Sequence, residues 1–202
     1  MIRKSLLLAW TDVKPYFWAA AVIFLAGLFV GAMSKGDIGW LDKQLQSISD
    51  IAKQADGSDH PSRTMFGLIF VNNLVATAFA MYLGIAACIM PLFSLALNGL
   101  VMGYLFGQLA DEGANIWPLI ARGILPHGIL ELPAVFLAAA YGILLGARLL
   151  QGIGRSVAGK PEPWGRFVGA LKRSVAVYVV VAFILLIAAA IESTITLYLV
   201  RS

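Results

Sequence analysis

His127 and Glu131 stand four residues apart in the run Pro126-His127-Gly128-Ile129-Leu130-Glu131-Leu132-Pro133-Ala134, which is otherwise apolar. Residues at i and i+4 share one helix face. An ionisable side chain at membrane depth is costly, so by default it is a functional hypothesis with a partner to be found. Glu192 interrupts a second apolar run, and Asn72, Asn73 and Asn98 interrupt a third. An imidazole with two carboxylates is a donor set that suits zinc or another divalent cation. Two other outcomes satisfy the same groups, namely a protonated carboxylate or pairing with Arg122. A plainer alternative stays open: a His and a Glu near a helix start can cap it and snorkel to the interface. The spacing is not the His-Glu-x-x-His of zinc proteases. The asparagines read equally well as interhelical packing glue.

These side chains need helices to hold them, and the composition supplies helices of one kind. Of 202 residues, 60% are hydrophobic and 13% charged, with a mean hydropathy of +0.84. Water-soluble domains rarely carry so little charge. Several apolar runs of about 18 residues or more predict an all-α, multi-pass transmembrane bundle, and the alternation that a membrane barrel requires is absent. The single cysteine, Cys88, excludes an intrachain disulfide and a Cys-based metal motif. The net charge of +4 needs no nucleic acid to explain it, because Lys and Arg gather beside the spans.

Five spans are expected, over about 16–33, 64–83, 87–109, 126–147 and 175–199, in one integral membrane domain. The stretch 64–108 holds no charged residue and is too long for one span, with Gly84 and Pro91 bracketing the turn between two. The piece 116–125 is too short to cross and reads as an interfacial or re-entrant lead-in to span four. Pro126 fits that span's first turn and Pro133 predicts a kink. The segment 148–174 holds Arg148, Arg155, Lys160, Arg166, Lys172 and Arg173, whereas in 34–63 the bases Lys35, Lys43, Lys53 and Arg63 are balanced by Asp37, Asp42, Asp50, Asp56 and Asp59. This bias favours an amino terminus in the cytoplasm and a carboxyl terminus outside a cytoplasmic membrane. At the 1.5 Å helical rise, Asn72 and Asn73 then lie ~12 Å below the outer end of span two, and Glu192 ~25 Å above the inner face. His127 and Glu131, in the first turns of span four, fall in the same outer half.

Gly99, Gly103 and Gly107 repeat every four residues on span three, as do Gly27/Gly31 and Gly142/Gly146 on spans one and four. Small residues let helix backbones approach closely in lipid. The faces serve either packing within the chain or a homodimer. In the outer segment, Ile38, Leu41, Leu45, Ile48, Ala52 and Ala55 follow a 3,4,3,4,3 spacing, which predicts an amphipathic helix. It lies either on the bilayer and bundle or under an extracytoplasmic partner.

Phe70-Val71-Asn72-Asn73, Leu97-Asn98-Gly99, the Pro126–Ala134 run and Ala190-Ile191-Glu192-Ser193 resemble, in order, the signature blocks of the stage II sporulation protein M family. The resemblance covers roughly 64 to the end. It implies a bacterial or archaeal multi-pass membrane protein. In spore formers the family's namesake holds peptidoglycan-degrading partners at the septal membrane during engulfment. Two function classes follow. One is a membrane scaffold that organises extracytoplasmic cell-wall hydrolases. The other is an ion- or metal-binding membrane protein, or a transporter, built on the buried polar cluster. An enzyme is not expected: Ser94 and Ser193 have no paired base at useful spacing, and His127 with Glu131 lacks a second His.

Overall fold

Polar helix formers such as Gln151, Arg155 and Lys172 end an apolar run without ending a helix. In the computed structural model, which describes residues 2–34, 36, 38–85 and 88–196, the helices accordingly outrun the apolar segments. α1 spans Ile2–Met33, α2 Gly39–Asp56 and α3 Pro61–Tyr82, followed by a 3-10 turn, Leu83–Ile85. α4 is Ile89–Asp111, α5 the single turn Ile116–Pro118, α6 Leu125–Val157 and α7 Gly165–Ile191. Five of these helical stretches are long and apolar enough to cross a membrane, so the chain is an all-α membrane bundle. The expected segment 148–174 contracts to 158–164. Gly159, at φ +61°, stops α6 there, with the Lys160 amide on the Arg155 carbonyl at 2.9 Å. Lys35, Asp37, Ala87 and Leu197–Leu199 lie outside the described residues, as do the side chains of Ile48, Ala52 and Ala55.

α1 and α4 run parallel and nearly touch. A Cβ added at Gly99, Gly103 or Gly107 would strike the carbonyl oxygen of Phe24, Leu28 or Ala32, and one at Gly27 or Gly31 would strike that of Ala96 or Leu100. The four-residue glycine repeat is thus filled within the chain, and a second copy would have to displace α1 to use it. Gly142 and Gly146 serve the same purpose for α6 against Ala80 of α3 and Gly84 of the 3-10 turn that follows it. α6 is the central helix. Every residue from Ala138 to Gly146 is buried, as befits a segment packed by α1, α3, α4 and α7 together. The helix continues through Pro133.

α2 sits across the end of the bundle against α3 and α4. Leu41 is buried beneath a face of exposed Lys43, Gln44, Gln46 and Ser47, as the spacing predicts. Tyr104, fully buried in α4, ties the start of α2 down. Its hydroxyl accepts the Ile38 amide at 3.1 Å and Gln108 Nε2 at 2.5 Å, and has Asp42 Oδ1 at 2.9 Å and the Gly36 carbonyl at 3.1 Å for its single proton.

Candidate functional site

α6 and α3 run parallel, so the first turns of α6 lie beside the first half of α3. α7 returns antiparallel, bringing its last residues to the same level. His127, Glu131 and Glu192 therefore converge. One ligand atom from each lies within 4.8 Å of the other two. His127 Nε2 is 3.9 Å from Glu192 Oε2, both side chains being largely buried. Asn73 Nδ2 donates to Glu131 Oε1 at 2.9 Å, which fixes one carboxylate oxygen and leaves the other for the cluster. Beside Asn73, the Leu74 carbonyl accepts the Tyr178 hydroxyl at 2.7 Å, so α3 is pinned to both α6 and α7 at this level.

The helices that carry the cluster are both distorted next to it. Leu119–Ile124 is a π turn that joins α5 to α6, closed by the Leu125 amide on the Ile120 carbonyl. Pro126 explains it: proline cannot donate to the Arg122 carbonyl and its ring crowds that oxygen, so the turn widens. The expected interfacial lead-in is thus helically continuous with α6. Glu192 opens the second π turn, Glu192–Thr196. There the hydroxyls of Ser193 and Thr194 bond back to the Ala190 carbonyl, at 3.3 and 2.5 Å, competing with the backbone for that acceptor. The two π turns touch each other. Such turns are rare in helices and frequent at functional sites.

Not every polar residue of the apolar runs joins the cluster. Asn72 is exposed and, among the described residues, reaches only Asn73 Oδ1, at 3.4 Å. Asn98 points out of α4 and Arg122 out of the π turn; both are exposed, and Arg122 forms no ion pair among the described residues. Chemically, His127, Glu131 and Glu192 offer one nitrogen and two carboxylates to a cation, with Asn73 as an outer partner. Ligands on a tetrahedral zinc lie about 3.4 Å apart at ordinary bond lengths, so modest side-chain rotations would close the observed spacing.

A second polar group escaped the sequence reading. At the opposite end, Asp12 of α1 bridges Arg173 of α7 at 2.8 Å and Arg148 of α6 at 3.3 Å. Its signal was a lone acid at the basic end of span one. Close by, the Tyr141 hydroxyl donates to the Ala170 carbonyl at 3.0 Å, locking α6 to α7.

Comparison with curated proteins and with solved structures gives no match. A sequence profile described as Stage II sporulation protein M matches residues 20–197, which takes in all five apolar helices in whole or in large part and the entire polar cluster. With most of its length matched, this chain belongs to the stage II sporulation protein M family.

Proposed function

We propose that the protein is a non-catalytic membrane scaffold that organises cell-wall-remodelling proteins outside the cytoplasmic membrane, with its amino terminus in the cytoplasm. Family membership supports the role, and α2 is the observation that carries it here. Its apolar side is anchored through Leu41 and the Tyr104–Asp42 contact, while Lys43, Gln44, Gln46 and Ser47 face outward. A helix buttressed in this way offers a preorganised polar surface, which lowers the ordering cost of binding a partner. Asp42 is engaged with Tyr104, so Lys43 and Gln46 are the positions for photocrosslinkers in cells. Trapping of specific extracytoplasmic wall-remodelling proteins supports the reading. A correctly inserted protein that yields no specific adduct at either position counts against it.

A second reading is favoured by the convergence of His127, Glu131 and Glu192. Here the outer half of the bundle holds a divalent cation, with zinc the best chemical fit to one imidazole and two carboxylates. Zinc titration of the purified protein tests it. Saturable one-site binding that Glu192→Gln weakens at least tenfold is the supporting result. Binding unchanged by Glu192→Gln and Glu131→Gln would overturn it.

A further inference from the structure

Three cavities lie at the basic end of the bundle, remote from the His127 cluster; one, about 410 Å³, is lined by Arg155, Pro161, Glu162, Gly165 and Arg166, and the other two are of opposite character. The first of these two, about 420 Å³, is lined by Asp12, Arg148, Gly165, Arg166, Gly169 and Arg173. Three guanidiniums meet one carboxylate there, which leaves two positive charges formally uncompensated among the lining residues. Asp12 is already shared between Arg148 and Arg173. Arg166 is exposed and in no ion pair among the described residues, and Arg173 Nε is buried with no hydrogen-bond partner among them. Gly165 and Gly169 come from the start of α7, whose first turn has no acidic residue and whose N-cap, Trp164, makes no side-chain cap bond. The positive end of that helix adds to the arginines.

The second cavity, about 70 Å³, is lined only by apolar residues: Ala9, Trp10, Val13, Leu137, Val177 and Val180. It lies between α1, α6 and α7. Val13 follows Asp12 on α1, and Val177 is one turn beyond Arg173 on α7, so the two cavities lie at neighbouring levels of the same three helices while sharing no lining residue. Trp10 and Trp164, both substantially exposed, mark this level as a membrane–water interface.

We propose that this end of the bundle binds an anionic phospholipid. Its phosphate sits against Arg148, Arg166 and Arg173, and an acyl chain lies on the outside of the apolar seam, against exposed Trp10 and half-buried Leu137 and Val180. Guanidiniums pair with phosphate oxygens in a fork geometry that ammonium groups lack. Basic pockets between transmembrane helices are a recognised form of headgroup site. A free phosphate would use the basic cavity and gain nothing from the apolar seam, which is why a lipid is the better occupant.

The full chain in nonionic detergent micelles tests this by thermal unfolding with three additives: phosphatidylglycerol, phosphatidylcholine with the same acyl chains, and inorganic phosphate. Phosphatidylglycerol is expected to raise the melting temperature saturably and the other two to do so weakly. Arg166→Gln removes an exposed side chain, so its unliganded melting temperature should match the wild type while its apparent affinity for phosphatidylglycerol falls at least fivefold. Val180→Trp, which reshapes the apolar seam, should weaken the phosphatidylglycerol response and leave any phosphate response intact. Equal responses to the two lipids would reduce the cavity to ordinary lipid contact and overturn the proposal. An inorganic phosphate response equal to that of phosphatidylglycerol would overturn the lipid assignment. Wild-type phosphatidylglycerol affinity in both variants would overturn the site itself.

Discussion

Asn73 on α3 donates to Glu131 on α6 across 2.9 Å, joining two parallel helices in the half of the bundle nearest α2. Hydrogen bonds of this kind contribute about 0.5–2 kcal/mol in membrane proteins. Asn73→Ala should lower the unfolding free energy by an amount in that range, and Glu131→Gln, which keeps an acceptor for Asn73, by less. A double-mutant cycle with Asn73→Ala and Glu131→Ala in bicelles checks the coupling, and additivity within error would mean that the pair is not coupled.

The proposed cation binding at His127, Glu131 and Glu192 carries a definite pH dependence. The imidazole must be neutral and both carboxylates ionised to ligate, so protons compete with the cation. Zinc affinity is expected to fall on acidification, by about tenfold per pH unit for each proton displaced. Titrations at several pH values measure it, and an affinity that rises as the pH drops would exclude these three residues as the ligands.

Gly103→Leu should be the most damaging substitution at the α1–α4 seam, because the new side chain would meet the Leu28 backbone carbonyl. A loss of about 3 kcal/mol is expected from overpacking of this severity. Gly67→Leu, with nothing near its Cβ position, serves as the control. Because the seam lies within one chain, the particle mass should not change. Equal melting temperatures for the two variants would contradict the packing described here.

Asp12→Asn should destabilise the basic end by about 1 kcal/mol, since it removes the negative charge shared by two guanidiniums while leaving the groups partly hydrated. The loss should shrink in high salt. Chemical unfolding at low and high ionic strength reads both effects.

Reporter fusions at Ser49 and Ala158 test the orientation inferred from charge. Ser49 should report the outside and Ala158 the cytoplasm. The parallel pairs α1/α4 and α3/α6, with α6 and α7 antiparallel, already require these two sites to lie at opposite ends, so a same-side result would refute the bundle topology as well.

The number of spans, the amphipathic α2 and the meeting of His127 with Glu192 were legible because each follows from apolar length, 3.6-residue periodicity or depth along a helix. Depth alone does not fix azimuth. Asn98 and Arg122 lie on helices that pass the cluster or lead into it, yet they face outward, and no single-helix pattern in the sequence distinguishes their side from that of Asn73. The Asp12 bridges were missed for a related reason. Their partners are 136 and 161 residues away in sequence, and all three stand beyond the apolar runs, where hydropathy is silent about helix continuation. The glycine faces were visible as faces, but which helix fills them is a property of the assembled bundle.

The seam between Gly27 and Ala96 has a consequence for biogenesis. α1 is made before α4, the helix it packs against most, with α3 between them in the chain. About 70 residues separate the contacting positions, which at ordinary translation speeds is roughly 3–14 s of synthesis. During that interval α1 stands in the bilayer with its glycine-lined flank bare. A nascent chain stalled before α4 emerges would keep that flank open to lipid or to a protein of the insertion machinery, and the burial of Gly27 and Gly31 marks the moment at which the bundle can close.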